Sequence, residues 1–135
     1  MNYVRTYHIS AAHFNSDRAY QAAWKIAAHD HAEMETAEII NTLSDVHGHN
    51  FKIEVGVTGV LNGKPWLVDD MALAKTVMAW DNCNLSMHGD FLDNQIRATT
   101  ENMASLLLEK LRVEFDGKVA WVRVYETADI YAEAA

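Results

Sequence analysis

Residues 46–55 read VHGHNFKIEV. Phe51, Ile53 and Val55 alternate with Lys52 and Glu54, and Val57 continues the series past Gly56, which is the period of a strand with one face in a core. Side chains on a strand alternate faces, so His47 and His49 share the parity of Phe51 and lie close enough for both imidazoles to reach one cation. Gly48 between them leaves room for another backbone or a ligand. Taken alone, an H-x-H pair is more often the polar start of a core strand, and two ligands alone hold zinc poorly. A third imidazole from His13 leaves one open coordination position, the arrangement of catalytic rather than structural zinc.

Upstream, residues 3–11 (YVRTYHISA) carry β-formers and predict a first strand that delivers His13 at its end. Residues 16–43 contain neither Gly nor Pro, and Tyr20, Trp24, Ala27, His31 and Met34 recur at helical spacing. They predict one long helix or two, capped by Ser16 or Asp17. On such a helix His29 and His31 point apart and do not chelate one ion. Downstream, Asn62-Gly63 is a hairpin signal, with PWLV returning as a third strand. Asp69 or Asp70 caps a helix that presents Leu73, Val77 and Trp80. Residues 81–98 read as a long polar connection of the functional kind. Thr99 caps a second helix, whose Ala104, Leu107, Leu108, Leu111 and Phe115 form an apolar stripe. Asp116-Gly117 turns the chain into a last strand, VAWVRVYET. Its Ala120, Val122 and Val124 end on Glu126, a carboxylate whose burial costs several kcal/mol unless it is paired. The pattern is an α+β domain around an antiparallel sheet.

The 135 residues are half hydrophobic, enough for one domain with its own core. Eleven Lys and Arg against nineteen Asp and Glu give a net charge of −8, which opposes nucleic acid. No apolar run spans a bilayer, so no membrane partner is expected. A lone Cys83 and no secretion signal predict a reducing cytoplasm. Cys83 reads as a small buried residue and the four tryptophans as core or interface filling.

ISAAHF, HGHNF, VDD ahead of a helix, WDNCNLS, TTENMA and VRVYET occur in an order that resembles the 6-pyruvoyltetrahydropterin synthase and 6-carboxytetrahydropterin synthase family. The resemblance covers nearly the whole chain outside the insert. It implies the tunnelling fold (T-fold), a four-stranded antiparallel sheet with two helices on one face, here one domain over residues 1–135 with a helical insert at about 16–43. It implies homo-oligomers, a trimer or a dimer of trimers, with the site at a subunit interface. It further implies zinc on His13, His47 and His49, holding the side-chain hydroxyls of a dihydroneopterin. Glu126 would grip the pterin's amino and ring N–H groups, and Thr99, Thr100 and Glu101 would lie close to the ring. The implied activity is that of a carbon–oxygen lyase of tetrahydropterin or queuosine biosynthesis.

Two positions depart from the family's pattern. Leu43 stands where its catalytic cysteine is usual, four residues before the first His of HGH. Asp81 is followed by Asn82 instead of a histidine, and an amide is no general acid or base near neutral pH. Substitute groups are Asp81 itself, Asp45 near the missing cysteine, and His88. Asp30, His31 and Cys83 are further candidates. Some family members use an upstream glutamate instead and cleave the dihydroneopterin side chain differently; Glu33, Glu35 and Glu38 lie in the insert, off that spacing. The alternative is a protein that binds zinc and pterin without the standard elimination.

Overall fold

The computed structural model describes residues 1–27 and 46–135, with Ile26 described by its backbone alone. Among them lie strands β1 (Asn2–His13), β2 (His47–Thr58), β3 (Val119–Thr127) and β4 (Ile130–Ala134). Helices are α1 (Asp17–Ala27), α2 (Asp70–Val77), the single-turn α3 (Gly89–Leu92) and α4 (Thr100–Glu114). The chain divides into two compact units, residues 1–9, 50–81 and 100–135 in one and residues 10–49 and 82–99 in the other.

The first unit holds the sheet, ordered β1-β2-β3-β4, with β3 antiparallel to both β2 and β4. Ile53 pairs with Val124 and Val55 with Val122. Phe51, Ile53, Val55, Val122 and Val124 are fully buried, each contributing about 1.5–3 kcal/mol through removal of apolar surface from water. On α4 the buried residues are Thr100, Met103, Ala104, Leu107, Leu108 and Leu111, which takes in the expected stripe except Phe115, half-buried just past the helix end, and the helix packs on β3, β4 and α2. Asp69 is the N-cap of α2: its carboxylate accepts from the Met71 and Ala72 N–H groups. The α+β class and the four-stranded antiparallel sheet with helices are as the sequence predicts.

Three expectations on the connections need correction. Asn62 and Gly63 both have positive φ, 49° and 78°, and the Lys64 N–H closes the turn on the Leu61 carbonyl, so the tight turn is present. PWLV is not a strand, however. Both edges of β2 are taken by β1 and β3, and Pro65 brings no N–H to a ladder. The partner of the last expected strand is instead β4, a short edge strand that the sequence pattern did not reveal. Residues 81–98 are not a plain loop: they contain a 3-10 turn at Leu85–Met87 and then α3.

The second unit gathers α1 around a small core of Phe14, Ala19, Tyr20 and Ala23, with Trp24, Val46, Met87 and Leu92 packed against it. Ser16 caps α1, its hydroxyl accepting from the Ala19 N–H at 3.1 Å. The remainder of the expected insert, with His29, Asp30, His31, Glu33, Glu35, Glu38 and Leu43, lies outside the described residues, as does Asp45 beyond it.

On the sheet face opposite the Phe51 row, Lys52 sits over the Tyr125 ring and Arg123 pairs with Glu133 while lying over Trp121. Tyr125 hydrogen-bonds Glu54, which raises the phenol's pKa above its ordinary value. Gly56 lies opposite Trp121, and a Cβ there would stand 2.2 Å from the indole. Gly56→Ala is therefore expected to destabilise by about 1–3 kcal/mol in urea unfolding, as overpacking does. The cost should largely vanish in a Trp121→Ala background; an equal cost in both backgrounds would contradict the clash.

Candidate metal centre

Three histidines meet in the second unit. The period-two geometry of β2 puts His47 and His49 on one side of the strand, and β1 ends on His13, which is 2% exposed. Ring centroids are 4.6 Å apart for His13 and His47, 5.1 Å for His13 and His49, and 5.0 Å for His47 and His49. The rings stand edge to face, and one ligand atom from each lies within 4.8 Å of the others. Three imidazoles bound to one zinc at about 2.0–2.1 Å put their nitrogens roughly 3.3 Å apart, a closure within reach of side-chain rotation.

The second nitrogen of His13 tests whether this set suits a metal. Its Nδ1 lies 2.8 Å from the Ala98 carbonyl oxygen. A carbonyl only accepts, so Nδ1 carries the proton and Nε2 carries the lone pair. That is the arrangement by which metal-binding histidines have their tautomer and ring orientation fixed. The donor set and its support thus fit a zinc-type divalent cation. Gly48 is not required by crowding: a Cβ there would stand 3.8 Å from the Ala11 carbonyl oxygen, an ordinary contact.

The bond to Ala98 belongs to a longer chain. The Ala98 N–H donates to the Tyr20 hydroxyl at 2.9 Å, Tyr20 and Ser86 share a hydrogen bond of 3.2 Å, and the Phe14 N–H donates to the Ser86 hydroxyl at 3.1 Å. Neither Tyr20 nor Ser86 stands out in the sequence as a functional residue. The one available signal is general: a buried tyrosine hydroxyl finds a partner, and Tyr20 sits on the inward stripe of α1.

The other expected site residues are distributed between the units. His88 lies in the unit that contains the histidines, as does Thr99, whose N–H reaches the Arg97 carbonyl. Asn82, at φ 58°, donates its N–H to Ser10; this left-handed conformation suits Asn better than most side chains. Cys83 is partly exposed and its carbonyl accepts from the Ala12 N–H. Asp81, Thr100, Glu101 and Glu126 belong to the sheet-bearing unit. There Thr100 donates to Glu101 at 3.3 Å, and Glu126 is half-buried on the β3 parity of Val122 and Val124.

The family described as 6-pyruvoyl tetrahydropterin synthase matches residues 3–135. A probable 6-carboxy-5,6,7,8-tetrahydropterin synthase of Halobacterium salinarum is 36% identical over 64 residues. That match takes in 47% of this chain and 43% of the relative, so the chain spans less than half the length of the curated relative it matches. Among solved structures, the 6-pyruvoyl tetrahydropterin synthase of Caenorhabditis elegans superposes with a TM-score of 0.66 at 22% identity, covering 99% of this chain and 94% of that one. An uncharacterized protein of Wolinella succinogenes gives a TM-score of 0.59 at 16% identity, covering 99% and 97%. At these identities the structural likeness speaks for the fold.

His88 carries a local test. It is the N-cap of α3, its Nδ1 accepting from the Asp90 N–H at 3.1 Å. An amide N–H only donates, so this nitrogen is unprotonated, and its 3.5 Å approach to the Asp90 carboxylate is not an ion pair. His88→Ala should cost about 1 kcal/mol of stability as a lost cap, and His88→Asn should restore most of it. Equal losses in both variants would contradict the capping role.

Proposed function

The chain belongs to the 6-pyruvoyl tetrahydropterin synthase family, and from that premise we propose that it is a zinc-dependent lyase acting on the side chain of a dihydroneopterin, such as the triphosphate. The observation that carries this reading is the convergence of His13, His47 and His49, with the His13 tautomer set for ligation. When bound, zinc supplies Lewis acidity that lowers the pKa of a coordinated hydroxyl.

The chain's own groups do the rest. The three imidazoles fix where the substrate's side-chain hydroxyls sit. Glu126 holds the ring, because a carboxylate accepts two parallel N–H donors. Thr99, Thr100 and Glu101 line the ring's surroundings. Proton transfer falls to Asp81, with Asp45 or His88 as its partner; the cap leaves His88 its Nε2 for that work. The working form is a homo-oligomer, a trimer or dimer of trimers, in the cytoplasm.

A second reading, binding of zinc and pterin without the standard elimination, is favoured by one specific feature. Asn82 stands beside Asp81 where the family pattern has an ionisable imidazole.

Metal analysis is expected to find one zinc per chain in the wild type and little in His47→Ala; zinc that persists in the variant would sink the three-histidine site. Anaerobic incubation with dihydroneopterin triphosphate should then yield a product with a shortened or dephosphorylated side chain. Thermal stabilisation by the pterin without turnover would favour the second reading, since a ligand that prefers the native state stabilises it by mass action. Glu126→Gln should weaken pterin binding by about 1.5–3 kcal/mol, the range for a hydrogen bond to a charged group. An unchanged affinity would remove Glu126 from the site.

A further inference from the structure

The hydrogen bonds around His13 close into a ring. From the imidazole the path runs to the Ala98 carbonyl, through that residue to its N–H, on to the Tyr20 hydroxyl, across to Ser86, and back to the Phe14 N–H. Phe14 follows His13, so both ends of the path return to the same peptide. His13, Phe14, Tyr20, Ser86 and Ala98 are all buried, from 0 to 2% exposed. Within such a site an unmade hydrogen bond costs its full desolvation, so the bonds hold their atoms firmly.

Tyr20 is the only side chain from α1 in this ring, and α1 grips the same segment in two further ways. Asp17 pairs with Arg97, and the Arg97 guanidinium lies over the Tyr20 ring at 5.1 Å. One helix therefore holds residues 97–98 by an ion pair, a ring contact and a buried hydroxyl. The carbonyl of Ala98, the residue whose N–H is so held, is the one that orients His13.

We propose that Tyr20 is a positioning residue for the metal centre: its hydroxyl holds the Ala98 N–H, and through the backbone of that residue it sets the tautomer and ring orientation of His13. The proposal rests on the zinc reading above for its functional meaning, but its physical content does not need the metal. Ser86 completes the lock from the other side, tying Tyr20 to the backbone that follows His13. In this account α1 belongs to the ligand scaffold as much as to the small core on which it packs.

The test uses the full chain. In the metal-free wild type, imidazole nitrogen NMR under conditions where the ring is neutral should find His13 with its proton on Nδ1, in slow exchange. A proton on Nε2, or an even mixture, overturns the proposal outright. Tyr20→Phe should shift His13 toward a mixture of tautomers, speed exchange of the Ala98 amide, and weaken zinc binding about 10–100-fold in chelator competition. Leu92→Ala, which trims the same small core without touching the ring, serves as the stability-matched control. It should keep both the tautomer and the zinc affinity. Tyr20→Phe within twofold of wild type, or Leu92→Ala losing as much at equal loss of stability, would overturn the proposal. If Tyr20→Phe does not fold, Ser86→Ala decides: it should show the same changes in smaller degree, and wild-type behaviour counts against the ring. A wild type that binds no zinc would defeat the metal reading, while the tautomer comparison would still judge the role of Tyr20.

Discussion

A strand paired on both edges cannot slip by one residue without turning its buried row outward, and β2 is such a strand, flanked by β1 and β3. Its row of Phe51, Ile53, Val55 and Val57 is at most 1% exposed. A one-residue slip would replace it with Lys52 and Glu54, a cost no small domain survives. The same register seats Gly56 against Trp121 and Lys52 against Tyr125. Along the same strand it fixes that His47 and His49 share a side. The placement of these two histidines is thus inherited from the packing of a hydrophobic row.

The third histidine is fixed by different physics. His13 ends its strand on the parity of Ile9 and Ala11, both buried. Its orientation, however, is set by a polar partner, the Ala98 carbonyl, and the N–H of that same residue is held by a buried hydroxyl from α1. Hydrophobic packing can bury an imidazole but cannot choose its tautomer; a directional bond to an obligate acceptor does. The centre combines the two: apolar register for two rings, a hydrogen-bonded ring of groups for the third.

What the sequence displayed and what it hid follow from the same distinction. The β2 alternation, the α4 stripe from Ala104 to Leu111 and the Asp69 cap are short-range patterns, and each appears in the structure where its spacing put it. The histidine cluster was legible from strand parity plus a family resemblance, and its three members do converge. The strand β4 was hidden because its inward positions are Ala132 and Ala134, too small to mark an apolar row, while Ile130 and Tyr131 face solvent. PWLV misled because Leu67 and Val68 are buried without being in a ladder. The ring through Tyr20, Ser86 and Ala98 joins residues 66 to 85 positions apart, a separation that no local spacing encodes. Directional polar contacts of that kind exist only once the chain has folded.

The central claim is that these three imidazoles form one metal site. X-ray absorption on the zinc-loaded protein tests it most directly, because the scattering counts ligands by type. The account predicts three imidazole nitrogens and one further light atom at about 2.0–2.1 Å, with no sulfur shell. A sulfur at about 2.3 Å, which would bring in Cys83, or fewer than three imidazoles, would contradict it.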